Sequence, residues 1–174
     1  MRMSVKEPKH TISVLVENRA GVLARVAGLF SARGYNIDSL SVGETEDPEV
    51  SRMTIVVKGD ENVLEQVQKQ LNKLIDVIRV SDYVQTPRIE SDLALIKVKA
   101  GKSDEAKIKK IAGEFNARIM DESGGSVIVE ATGEEESIEG LIGKLEPFGI
   151  LEMSRTGIVA MARGAKVLSL KKDE

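Results

Sequence analysis

The chain has 174 residues, 41% of them hydrophobic and 30% charged, a globular composition long enough for one ordinary domain or two compact ones. A net charge of −3 and 3% aromatic residues argue against a nucleic-acid binder, because phosphates need a positive field and bases need stacking platforms. The absence of cysteine excludes disulfides, thiol catalysis and zinc–thiolate sites and fits a reducing cytoplasm. Met1 to Lys9 contains no apolar leader segment, and no apolar run approaches the roughly 20 residues of a membrane helix. A cytoplasmic chain without membrane contact is the expectation.

Ile12 to Glu17 is apolar and β-branched and predicts a buried strand. Asn18-Arg19-Ala20-Gly21 breaks it. Val22, Val26, Leu29 and Phe30 then recur at helical spacing as far as Arg33, where Gly34 suits a left-handed cap. A strand from Ile37 to Val42, a polar hairpin loop from Glu44 to Glu49 and a returning strand from Arg52 to Lys58 follow. Asp60 is placed to cap a helix whose Val63, Val67, Leu71 and Leu74 form one stripe, and Val77 to Ser81 closes a βαββαβ unit. Residues 84–91, with Gln85-Thr86-Pro87, read as a linker.

The pattern then restarts: a strand from Leu93 to Lys99, a helix from Asp104 to Phe115, strands at Ala117–Asp121 and Val127–Ala131, a helix from Glu134 to Leu145, and a strand from Phe148 to Met153. The predicted fold is α+β, two tandem ferredoxin-like βαββαβ modules over 10–83 and 92–164. Gly157 to Ala162 has no clear form, and 165–174 reads as a frayed tail.

Catalytic chemistry is hard to assemble from these residues. His10 is the sole histidine and reads as an exposed residue ahead of the first strand. Glu44, Glu46, Asp47 and Glu49 read as a solvated hairpin tip rather than a metal cage. Ser123-Gly124-Gly125-Ser126 joins two strands and reads as a turn, not a phosphate loop. Asn18 to Leu23 is different, because a helix starting near Gly21 offers unpaired backbone N–H groups and the positive end of its dipole to a carboxylate. Gly21 admits close approach, and Asn18 carries both a donor and an acceptor. Those residues alone leave two readings open, a ligand loop or an ordinary turn.

Asn18-Arg19-Ala20-Gly21-Val22-Leu23, then Phe30 and Arg33-Gly34-Tyr35-Asn36-Ile37, resembles an ACT domain, a regulatory amino-acid-binding module. The longer string from Gly28 to Val42, with Asp47-Pro48, Ser51-Arg52-Met53-Thr54-Ile55 and Leu64 to Leu71, closely resembles the small regulatory subunits of acetohydroxyacid (acetolactate) synthase. The likeness is dense through Ser81 and resumes at Ser154-Arg155-Thr156-Gly157 and Ala162-Arg163-Gly164.

This resemblance implies an N-terminal ACT domain, a C-terminal ferredoxin-like domain and a chain without activity of its own. It would bind and activate a large catalytic subunit, on which thiamine diphosphate, Mg and FAD are expected, and confer feedback inhibition by valine. The valine site would lie between two ACT domains of a homodimer. Asn18 and Gly21 match the family's ligand loop, Asn36 matches the asparagine from the neighbouring domain, and Val42 matches a position near the pocket. Leu23 and Ile37 are added as candidate side-chain contacts, with ordinary core packing as their other reading. The second module reads Ala100-Gly101-Lys102-Ser103 where the first has its Asn-x-x-Gly turn, so no second valine site is expected. Two alternatives are a stand-alone amino-acid-sensing ACT regulator and a small ferredoxin-like enzyme using acidic residues. The lack of cysteine and of a second histidine counts against the enzyme.

Overall fold

The computed structural model describes residues 8–170 and divides into two compact units, one running to Ile89 and taken up again from Ala160, the other Glu90–Val159. The leader reading falls mostly on residues 1–7, and the end of the expected tail on 171–174, both outside the described residues.

The first unit runs β1 (Lys9–Glu17), α1 (Val22–Ala32), β2 (Ile37–Glu44), β3 (Val50–Lys58), α2 (Glu61–Leu71) and β4 (Val77–Asp82). Its sheet has the order β2-β3-β1-β4, with every neighbouring pair antiparallel. Side chains alternate across a strand, so Ile12, Val14 and Val16 of β1 share a face with Met53, Ile55 and Val57 of β3. That face packs against Val22, Val26 and Phe30 of α1 and Leu64, Val67 and Leu71 of α2. Asp60 starts α2 as the sequence implies: its carboxylate accepts from Val63 N at 3.0 Å, and this N–H holds its pKa below the usual range. His10 departs from its reading as an exposed residue ahead of the strand. The pairing of β1 and β3 extends to Lys9 and Lys58, which carries His10 into the strand at 7% exposure, where Nε2 meets Gly59 O at 2.9 Å.

The second unit repeats the order as β5 (Arg88–Lys99), α3 (Glu105–Glu114), β6 (Arg118–Ser123), β7 (Ser126–Gly133), α4 (Glu135–Leu145), a 3-10 turn at Glu146–Phe148 and β8 (Ile150–Arg155). The strand order is β6-β7-β5-β8. It has its own core, with Ile96, Val98, Val127 and Val129 from the sheet against Ile108, Ile138, Leu141 and Leu145 from the helices. The Ser123–Ser126 turn is a two-residue hairpin, with Gly124 and Gly125 at φ +60 and +76, the left-handed pair such a loop requires. No described helix is long and apolar enough to cross a membrane.

Two boundaries differ from those read in the sequence. β5 begins at Arg88, inside the 84–91 linker, because Arg88–Asp92 extends the strand with a polar alternation that carries no apolar signal. The chain from Ala160 groups with the first unit rather than closing a 92–164 domain before a free 165–174 tail. The face of the first sheet turned away from α1 and α2 explains this. Thr11, Ser13, Leu15, Thr54 and Val56 on that face are all buried. From Ala160 the returning chain is tied to this unit by Arg52 Nη2 to Ala160 O at 3.0 Å and Arg79 Nη1 to Ser169 O at 3.2 Å, while the short strand β9 (Val159–Ala162) itself pairs with β5. A four-residue strand has too few side chains to show a period, so this segment had no clear form in the sequence.

Candidate functional site

The loop between β1 and α1 is shaped by backbone bonds before any ligand enters. Asn18 N donates to Glu49 O at 2.7 Å and Arg19 N to Glu17 O at 3.0 Å. Gly21 then takes φ +86, ψ −12, a left-handed conformation that turns the chain into α1. No side chain caps this helix, and no acidic residue lies in its first turn. The N–H groups of Gly21, Leu23 and Ala24 have no partner among the described residues. A Cβ at Gly21 would meet nothing within 4 Å, so the space beside this residue is open. These are the conditions under which a helix start attracts a carboxylate.

Asn18 does less ligand-facing work than its inventory allowed. Its amide nitrogen donates to Glu44 Oε1 at 3.0 Å and to Pro48 O at 2.9 Å, which fastens the loop to the β2–β3 hairpin. The side-chain carbonyl oxygen remains as the free acceptor. Glu44 and Pro48 were legible only as a solvated hairpin tip, because bonds between residues 26 and 30 apart leave no local pattern. The ion pair of Arg25 Nη1 with Asp76, which is 8% exposed, also escaped the sequence reading. Asp76 O in turn accepts from Glu17 N at 2.9 Å, so this pair braces the first turn of α1 against the end of β1.

The sheet register sorts the six candidate residues into three places along β3. Glu17 pairs with Val50, so Asn18, Gly21 and Leu23 lie at the Val50 end of β3. Val42 pairs with Met53, three residues along, or about 10 Å at a rise of about 3.3 Å per residue. Ile37 pairs with Val57, seven residues beyond Val50, which puts Asn36 and Ile37 about 23 Å from the loop. One chain therefore does not bring Asn36 to Asn18 and Gly21. Leu23 and Val42 are 46% and 43% exposed, so neither is a core residue, whereas Ile37 packs against the core. The cavity of about 370 Å³ beside Asn18 is lined by Glu17, Asp47, Glu49 and Ile78 among others but not by Gly21, Leu23 or Ala24.

At the far end Asp38 sits between two lysines, 2.8 Å from Lys9 Nζ and 2.5 Å from Lys58 Nζ. The Lys58 hydrogen bond, then that of Lys9, holds its carboxyl below the ordinary value. A lowered pKa stabilises the fold well above the ordinary 3.8, and that contribution is lost as pH falls through the depressed value. Asp38→Asn should therefore cost about 0.5–1 kcal/mol at pH 7, since the lysines are partly exposed. Urea denaturation should show this gap closing as pH falls through the depressed pKa; a gap that persists at the acid end would contradict the pairing.

Comparison with known proteins agrees with this architecture. The family model described as the AHAS small subunit-like ACT domain matches residues 12–79, and that of the small subunit of acetolactate synthase matches residues 91–164. The fold and the loop after β1 thus define a class, the ACT-domain proteins. A probable acetolactate synthase small subunit of Archaeoglobus fulgidus is 53% identical over 158 residues, covering 91% of this chain and 99% of that one. The acetolactate synthase small subunit of Mycolicibacterium smegmatis is 46% identical, covering 98% of this chain and all of its own. A crystal structure of the acetolactate synthase small subunit of Thermotoga maritima superposes with a TM-score of 0.84 at 41% identity, covering 90% of this chain and 98% of its own. The chain belongs to the family of acetolactate synthase small subunits, the non-catalytic regulatory members of an enzyme complex.

Proposed function

We propose that this chain is a cytoplasmic valine sensor that binds and stimulates the large catalytic subunit of acetolactate synthase and makes it responsive to valine. Thiamine diphosphate, Mg and FAD are then the catalytic subunit's cofactors, and this chain supplies no reacting group. The observation that carries the reading is the open start of α1 at Gly21 together with the separation of Asn36 from it.

β2 is an edge strand of the first sheet, paired with β3 alone among the described strands, and such an edge is a template for pairing with another chain. Two copies joined by a two-fold axis along this edge pair β2 antiparallel, and the Ile37 end of one strand then lies beside the Glu44 end of the other. Asn36 of a second copy is brought from the far end of its own sheet towards the Asn18–Gly21 loop of the first. In that frame the amides of Gly21, Leu23 and Ala24 receive the amino acid's carboxylate. The Asn18 carbonyl oxygen and Asn36 of the second copy are acceptors for its ammonium. Leu23 and Val42, both exposed in one chain, offer the branched side chain apolar surface, and burying such a side chain contributes about 1.5–3 kcal/mol. One methylene more or less changes affinity by about 1–3 kcal/mol, so leucine and isoleucine bind more weakly rather than not at all. Because the site is completed by two copies, occupancy is coupled to how they are arranged, as a regulator requires.

The test is reconstitution. The purified chain should turn over no pyruvate, should raise turnover when mixed with the catalytic subunit, and should then let valine lower it. Turnover by the chain alone, or mixing without stimulation, contradicts the proposal.

A further inference from the structure

The first unit contains a second cavity, of about 560 Å³, on the face of the sheet opposite its helices. That volume falls within the range of small-ligand sites. All the residues lining it belong to this unit, from β1, β3, β4, the β2–β3 hairpin, Tyr83 and the returning chain after Ala160. Its walls mix polar and apolar groups; Leu15 and Val50 supply apolar surface from the sheet, and Met161 and Val167 from the returning chain. Met161 and Val167 are 59% and 74% exposed, so apolar surface of the returning chain faces water.

Arg52 gives this cavity its chemistry. Its guanidinium is half-buried and held on two of its three nitrogens: Nε donates to Ser13 Oγ at 2.8 Å, and Nη2 donates to Tyr83 Oη at 2.7 Å and Ala160 O at 3.0 Å. All three acceptors are neutral. No carboxylate pairs with Arg52 among the described residues, whereas Arg25, Arg118 and Arg155 each have one. Nη1 has no partner among the described residues. Of the other charged residues at the cavity, Lys166 donates to Thr86 Oγ1 at 2.9 Å, and Glu46 is exposed. A partly desolvated cation fixed in place with no counter-ion among the described residues, beside the apolar surface of Leu15, Val50, Met161 and Val167, is matched by a single negative charge on an apolar body.

We propose that this cavity is a second ligand site, separate from the Gly21 loop, and that it takes an aliphatic monocarboxylate with its carboxylate on Arg52 Nη1 and its chain against Leu15, Val50, Met161 and Val167. The geometry distinguishes it from the first site in kind. A side-chain cation holds the carboxylate here, and backbone amides hold it there.

Calorimetric titration of the full chain with octanoate tests the proposal, with octanol as the uncharged control. Octanoate should bind saturably, and octanol at least about tenfold more weakly if the charge is recognised. Arg52→Gln should weaken octanoate about ten- to hundredfold, the value of a hydrogen bond to a charged group. Since Arg52 also tethers Ala160, Val167→Glu serves as the second variant; it adds a carboxylate on an exposed segment without helix or strand and should weaken octanoate at least as much. Gly21→Asp should leave octanoate binding unchanged. Absence of saturable binding, equal affinity for octanol, or octanoate binding that survives Val167→Glu in a folded chain would overturn the site. Loss of octanoate binding in Gly21→Asp would assign it to the first site instead.

Discussion

Gly21→Asp should raise the valine concentration needed for half-inhibition of the reconstituted enzyme by close to a thousandfold. The open space at Gly21 admits the new side chain without a clash, and at φ +86 a residue with a Cβ adds about 1–2 kcal/mol of strain that aspartate tolerates better than most. The carboxylate then occupies the space in front of the free amides, where it satisfies them itself and faces the ligand's carboxylate. Two like charges about 4 Å apart at an effective dielectric near 20 repel by about 4 kcal/mol, and each 1.4 kcal/mol is about tenfold in affinity. Circular dichroism and stimulation of the catalytic subunit without valine report whether the variant is folded and docked. A folded variant with an unchanged inhibition curve would move the site elsewhere.

Arg155→Ala should have the largest effect on stability. Asp92 is 2% exposed, and the Arg155 guanidinium meets its carboxylate through Nε at 2.8 Å and again through Nη2, while Thr156 Oγ1 adds a longer bond at 3.2 Å. Removing the arginine leaves a buried carboxylate with one neutral partner, a loss of about 3–5 kcal/mol. Glu139, the other partner of Arg155, is largely exposed, so Glu139→Gln should cost less than about 1 kcal/mol. Urea denaturation of both variants measures the contrast. A loss for Arg155→Ala as small as that for Glu139→Gln would mean that the Asp92 pair is not what holds β8 to β5. The pair also gives a physical reading of the Ser154-Arg155-Thr156-Gly157 string: two of its four residues, Arg155 and Thr156, bond to Asp92.

Much of this architecture was legible because period and punctuation agree. The stripe of Val22, Val26 and Phe30, the cap at Asp60 and the glycine pair at Gly124-Gly125 each predict their own local geometry, and each is found. What stayed hidden is long-range and polar. His10 looked exposed because its cover comes from β3 and Gly59, nearly fifty residues away. The sequence could not show that Arg52 reaches Ala160 O across more than a hundred residues, nor that it has no acid partner among the described residues. The candidate ligand residues divide along the same line. Asn18 and Gly21 follow from a strand-to-helix turn, but the placing of Asn36 at the opposite end of the sheet follows only from the register of β2 on β3.

That separation also allows the most direct test of a site shared between two copies. Asn36→Ala alone should weaken valine by about 1–3 kcal/mol, by leaving a buried polar group unpaired, and Gly21→Asp should abolish binding at micromolar valine. When the two variant chains are unfolded together, refolded as a mixture and titrated with valine, each mixed dimer carries one doubly altered site and one built from an intact Gly21 loop and an intact Asn36. Binding at the affinity of the unaltered protein should reappear in the mixture although neither variant shows it alone. A mixture that binds only as the sum of its two parents would contradict a site completed by the second copy.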